Sequence, residues 1–140
     1  MPYRYLPDIA LADIAYEASS STMAGLFEAA ASALTDVMVD PSSLRVKEKK
    51  RFALKSESID RLLYDFLTEL IIAKDVDSLL FKKYDVSVDE KKLRLVCSAS
   101  GEKIDRERHR LRNDAKAVTM HMFGIRREGT RLKATVVLDI

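Results

Sequence analysis

The stretch "IDRLLYDFLTELII" most tightly limits how this chain can fold. Ile59, Leu62, Leu63, Phe66, Leu67, Leu70 and Ile71 recur at spacings of three and four, so all of them share one side of a helix. This helix opens near "SES". A helix with one apolar stripe must lie against a larger apolar surface. A second stripe (Met23, Leu26, Phe27, Ala30, Leu34, Val37 and Met38) follows the N-cap candidates of "SSST". It stops at "VDPSS", because Pro41 disfavours helical geometry in the residue before it.

The surface for those helices has to come from segments of period two. In "ALADIAYEA", Ala10, Ala12, Ile14, Tyr16 and Ala18 fall on one face of a strand. A strand-like segment runs from about Leu44 to Lys55. Leu80, Tyr84, Val86 and Val88 alternate with polar residues, "DEKK" fits a turn, and Leu93, Leu95 and Cys97 alternate again. "GEKIDRERHRLRND" is polar and predicts a connection with a helical turn. "AKAVTMHMFGI", "REGT" and "RLKATVVLDI" predict a terminal hairpin with Gly129 in its turn. The expected class is α+β: a two-layer sandwich over residues 1–140 as a single domain. Its antiparallel-rich mixed sheet carries both main helices on one face.

At 140 residues the chain can bury a core without disulfides. Cys97 is the only cysteine, which rules out an intramolecular disulfide or a thiolate metal cluster; in "LRLVCSA" it fits a small core residue. No secretory h-region and no apolar run near the ~20 residues of a membrane helix occurs, so a reducing cytoplasm and no membrane are expected. A net charge of +2 is a weak basic excess for a nucleic-acid binder. The basic runs "KEKKR" (Lys47 to Arg51) and "RERHRLR" (Arg106 to Arg112) are interrupted by acids and fit solvated faces. With four glycines, no phosphate-cradling loop, no nucleophile elbow and no histidine-rich metal motif, catalysis by this chain is not expected.

The chain's end carries the chemistry. The last strand sets Leu132, Ala134, Val136, Leu138 and Ile140 on one face and Lys133, Thr135, Val137 and Asp139 on the other. Asp139 therefore stands beside the carboxylate of Ile140. Two unit charges ~4 Å apart cost on the order of 4 kcal/mol at an effective dielectric near 20. A hard divalent cation, which gathers six to eight oxygens in the case of calcium, turns that repulsion into attraction. Asp13 supplies a third source of oxygen if the first and last segments meet in the sheet. Judged by spacing alone, aspartates at strand ends are more often simply solvated.

The blocks "ADIAYEASSSTMAGLFEAAASAL", "RLLYDFLTELI", "KAVTMH" and "VVLDI", in that order across nearly the whole chain, resemble the archease family. The resemblance implies a small accessory protein that stimulates the RtcB-type RNA ligase of tRNA splicing. It would do so by promoting the ligase's guanylylation and multiple turnover. A second role implied for the family is chaperone-like modulation of a tRNA cytosine methyltransferase. It also implies a metal site for calcium, or another hard cation such as magnesium or manganese, at Asp13, Asp139 and the terminal Ile140. Many members carry a histidine and threonine where this chain has Ala10 and Leu11; the Asp13 match is unaffected. His109 and His121 are left outside the site, because imidazole suits zinc better than calcium. Lys116 falls in a family block without a role that chemistry assigns.

Overall fold

A computed structural model describes residues 2–6 and 13–140. The elements in chain order are β1 (Tyr3–Tyr5), β2 (Ile14–Ser20), α1 (Met23–Met38), a 3-10 turn (Pro41–Ser43), β3 (Glu48–Lys55) and α2 (Ile59–Asp77). They continue with β4 (Leu79–Asp89), β5 (Arg94–Lys103), β6 (Ala117–Val118), β7 (Gly124–Glu128) and β8 (Arg131–Asp139). Both helices begin at hydroxyl caps: Thr22 Oγ1 accepts from the Gly25 N–H at 3.0 Å, and Ser58 Oγ from the Arg61 N–H at 3.1 Å. Ser78, at φ 56°, closes α2 in the left-handed conformation. The expected α+β class, with two main helices and antiparallel strands, is what the chain adopts.

The strands divide between two sheets. One has the order β1-β2-β8-β6 with β7 also on β8; the other has the order β3-β5-β4. Every pair among the described residues is antiparallel, so the mixed pairing expected of the sheet does not occur there. Both helices touch both sheets, which joins the two into one core. For α2 the expected stripe is the buried face. Asp60, exposed in the first turn of α2, accepts the Ile125 N–H through Oδ1 at 3.2 Å and so helps to dock β7.

Helix α1 departs from the single stripe. Ala29, Ala31 and Ala33 are buried alongside Leu26, Phe27, Ala30, Leu34 and Val37, so most of its circumference is covered. Alanine has no bulk to hold neighbours away, and β4 runs against the side opposite the first sheet. The helix also satisfies backbone groups of that edge strand. Glu28 Oε2 accepts the Val86 N–H at 3.0 Å, and Thr35 Oγ1 donates to the Phe81 carbonyl at 2.9 Å. An edge strand covered this way is protected from pairing with another chain. On the other side, the Tyr16 hydroxyl donates to the Ala30 carbonyl at 2.9 Å. Phe27 and Phe66 stack with centroids 6.1 Å apart and lock α1 to α2.

The β7–β8 hairpin turns at Gly129, φ 61°, with Glu128 paired to Arg131. Positive φ at the first turn residue is the position a type II′ hairpin reserves for glycine. Val39 forms an isolated bridge to Leu111, and β1, too short to show periodicity, adds an edge strand beside β2.

Candidate metal centre

Strand β8 is terminal in sequence but interior in the sheet: β2 flanks one edge, β6 and then β7 the other. That placement explains an apolar run at the end of the chain. Ala134, Val136 and Leu138 are fully buried, and Ile140 is half-buried against the core. The ladder with β2 runs from Ser20↔Leu132 to Ile14↔Leu138. The ladder ends there: Asp13, in a bend, directly precedes β2, and Asp139 and Ile140 directly follow the last residue of β8 that pairs with β2. Asp13 is half-buried and Asp139 exposed. The Asp139 backbone is held from the far side as well, since it pairs with Ala117 and its carbonyl accepts the Lys116 N–H at 2.8 Å.

The support for β6 comes from α2. Lys74, 8% exposed, donates to the Ala115 carbonyl at 2.8 Å and pairs with Asp114 and, at 2.7 Å, with Asp75. A buried ammonium with three oxygen partners fixes residues 114–115 directly before Lys116. The far end of α2 thus steers the strand that holds Asp139.

The side-chain donors of Asp13 and Asp139 are oxygens. That set suits a hard cation and does not suit zinc or copper, which favour nitrogen and sulfur. Among the described residues no three Asp, Glu, His or Cys side chains gather into a metal cluster. Two aspartates alone would leave most of a hard cation's six to eight oxygens to carbonyls and water. Glu17, on the same face of β2, is already committed. Its Oε2 takes Arg126 at 2.5 Å and its Oε1 takes Arg4 at 3.3 Å. Burial alone would raise its pKa, but the Arg126 and Arg4 hydrogen bonds outweigh burial and lower it. Ala10 and Leu11 lie outside the described residues.

The two histidines stay out of the site for different reasons. His121 is exposed in the turn between β6 and β7. His109 is buried: Nδ1 accepts the Asp105 N–H at 2.9 Å, which leaves Nε2 to donate to Glu102 Oε1 at 2.6 Å. Glu102 also takes the Arg45 N–H at 3.0 Å and Arg108 at 2.6 Å. This cluster, which ties the polar connection after β5 to the core, was missed in the sequence because no spacing links a strand-end glutamate to a histidine seven residues on.

Desolvation would raise the Glu102 pKa, but the bonds from Arg108, His109 and the Arg45 N–H prevail and hold it at about 2. Because that lies below the ordinary 4.5, the carboxylate stabilises the fold at every pH above about 4.5. The contribution drains away as pH falls through about 2. Glu102→Gln should cost about 3 kcal/mol at neutral pH, as expected for one broken partner of a buried pair. In urea titrations the gap between the two proteins should close between pH 4.5 and 2; a gap that stays constant with pH would rule this assignment out.

Comparison with known proteins agrees with this architecture. The profile of the Archease protein family (MTH1598/TM1083) matches residues 3–140. The chain is 40% identical over 131 residues to protein archease of Methanothermobacter thermautotrophicus, covering 92% of this chain and 93% of that one. It is 35% identical over 132 residues to protein archease of Pyrococcus abyssi, with the same coverage. The solution structure of protein 1598 of Methanobacterium thermoautotrophicum superimposes with a TM-score of 0.86 at 37% identity, over 99% of both chains. A Thermotoga maritima crystal structure described as an archease, possible chaperone, shares the fold with a TM-score of 0.67 at 23% identity, over 96% of both chains. With a family match over almost its full length and relatives above 30% identity, this chain belongs to the archease family.

Proposed function

We propose that this protein is an accessory factor, not an enzyme, that activates the RtcB-type RNA ligase of tRNA splicing in the cytoplasm. It acts by promoting ligase guanylylation and multiple turnover through a calcium-type site at Asp13, Asp139 and the Ile140 carboxylate. The observation that carries the reading is the β2–β8 ladder, whose last pair, Ile14 with Leu138, leaves Asp13 and Asp139 of distant family blocks each one residue beyond it. Asp13 and Asp139 would hold the ion, and the Ile140 carboxylate would complete its inner shell. Calcium there neutralises carboxylates that otherwise repel, and magnesium or manganese would do the same. An accessory protein raises turnover only if it binds one ligase state more tightly than another.

The test is a ligation time course with RNA in excess over ligase, with and without this protein. Ligation should stop near one turnover per ligase without it and continue with it; identical courses would refute the reading. A tag added after Ile140 converts the carboxylate to an amide, so it should weaken calcium binding and stimulation, whereas a tag before Met1 should not.

The description of the Thermotoga maritima relative as a possible chaperone supports a second reading, chaperone-like modulation of a tRNA cytosine methyltransferase. Rescue of that enzyme's solubility with no effect on ligation would favour it.

A further inference from the structure

The two basic runs look alike in sequence, but the fold treats them oppositely. In the run after β5, Arg108 meets Glu102 at 2.6 Å, Arg110 meets Asp40 at 3.2 Å and Arg112 meets Asp36 at 2.6 Å. That run is largely neutralised from within. In the run that opens β3, only Lys50 turns inward, to Asp77 at 2.9 Å. Strand alternation sends Lys49, Arg51 and Lys55 to the opposite face, all exposed.

Register then builds a surface from three strands. Lys49 pairs with Ser100, and Ser100 with Lys83; Arg51 pairs with Ser98, and Ser98 with Asp85. The next rows are Ala53, Val96 and Ser87, and then Lys55, Arg94 and Asp89. Five cations meet two carboxylates on this face, an excess larger than the +2 of the whole chain. None of the five enters an ion pair among the described residues. Asp89 is turned to its own hairpin, where Oδ1 accepts the Lys91 and Lys92 N–H groups at 3.1 and 3.0 Å.

We propose that this open face of the β3-β5-β4 sheet binds the phosphate backbone of a nucleic acid strand. Three features favour that occupant. Lysine, arginine and serine are donors that phosphate oxygens accept. The face carries no aromatic side chain and two exposed aliphatics, Ala53 and Val96, so it lacks the buried anchors that drive protein docking or membrane insertion. Charge on the edge strands β3 and β4 alone would serve to discourage aggregation, but Arg94 lies on the central strand β5. Without a stacking platform, contact is to backbone and indifferent to base. The proposal is independent of the metal centre, which belongs to the other sheet.

Fluorescence anisotropy of the full-length protein with labelled oligouridine tests it, read as log affinity against log salt. Four or five phosphate contacts at about 0.7 each predict a slope near −3, with oligoadenosine behaving alike. Lys49→Gln, Arg51→Gln and Arg94→Gln together should reduce the slope by about 2, and Arg51→Gln alone by about 0.7. Arg106→Gln with Arg110→Gln, on the other run, should change nothing. A slope unmoved by these β3 and β5 variants in protein of native circular dichroism overturns the proposal. So does binding to anionic vesicles or to the ligase, but not to oligouridine, that depends on the same residues.

Discussion

Asp139→Ala is expected to abolish calcium-induced stabilisation and ligase stimulation while leaving the fold in place. Asp139 is exposed at the end of β8, and its structural bond is made by its backbone carbonyl to the Lys116 N–H, which alanine keeps. Surface changes of that kind usually fall within about 0.5 kcal/mol. The cation-bound state should respond very differently. A ligand at one hundred times its Kd stabilises by about 2.7 kcal/mol, worth roughly 5 to 10 °C in Tm for a chain of this size. Wild-type protein should gain that shift on adding calcium, and Asp139→Ala should gain none. Removing a carboxylate from a like-charged pair also predicts that the calcium-free variant melts no lower than the wild type. A folded variant with the full calcium shift and normal stimulation would remove the ion from the mechanism.

The strand that Asp13 precedes, β2, and the strand that ends on Asp139, β8, belong to opposite ends of the sequence, yet the sheet leaves little freedom in their register. Slipping β8 by one residue would turn Ala134, Val136 and Leu138 to the outer face and Lys133 and Thr135 into the core. The geometry of the site is therefore a by-product of core alternation.

Much of this was legible beforehand because periodicity reports directly on burial. The stripe of α2, its start near "SES" and the turn at Gly129 appear where spacing and turn chemistry put them. Asp13 and Asp139 stood out through family resemblance more than through spacing, and the register then made their neighbourhood concrete. Other features had no local signal. The covered alanines of α1 look permissive for either exposure or burial, so only the second sheet explains them. Glu102 and His109 lie in a stretch whose polarity argued for solvent, yet each satisfies the other in the interior. The contrast between the two basic runs depends on partners far away in sequence, Asp36 and Asp40 in one case and Asp77 for Lys50 alone in the other.

Gly101→Ala is expected to destabilise the protein by about 4 kcal/mol or more, a size reserved for a few identifiable mechanisms. Gly101 lies on the central strand β5 opposite Phe81, where β4 carries an extra residue between Phe81 and Lys83. A Cβ there would stand 1.9 Å from the Leu80 carbonyl oxygen and 2.7 Å from the Phe81 Cα. Both obstacles are backbone, so no rotamer change relieves the overlap, and β4 must move away from β5. That movement strains the Thr35 bond to the Phe81 carbonyl and disturbs Glu102, the next residue along. Gly129→Ala provides the contrast. Its φ of 61° is unfavourable for alanine, but nothing lies within 4 Å of the added carbon, so the cost should stay near 1–2 kcal/mol. Chemical denaturation of both variants separates the causes. If Gly101→Ala proves no worse than Gly129→Ala, the close approach of β4 to β5 is wrong, and with it the account of why a glycine occupies the middle of a buried strand.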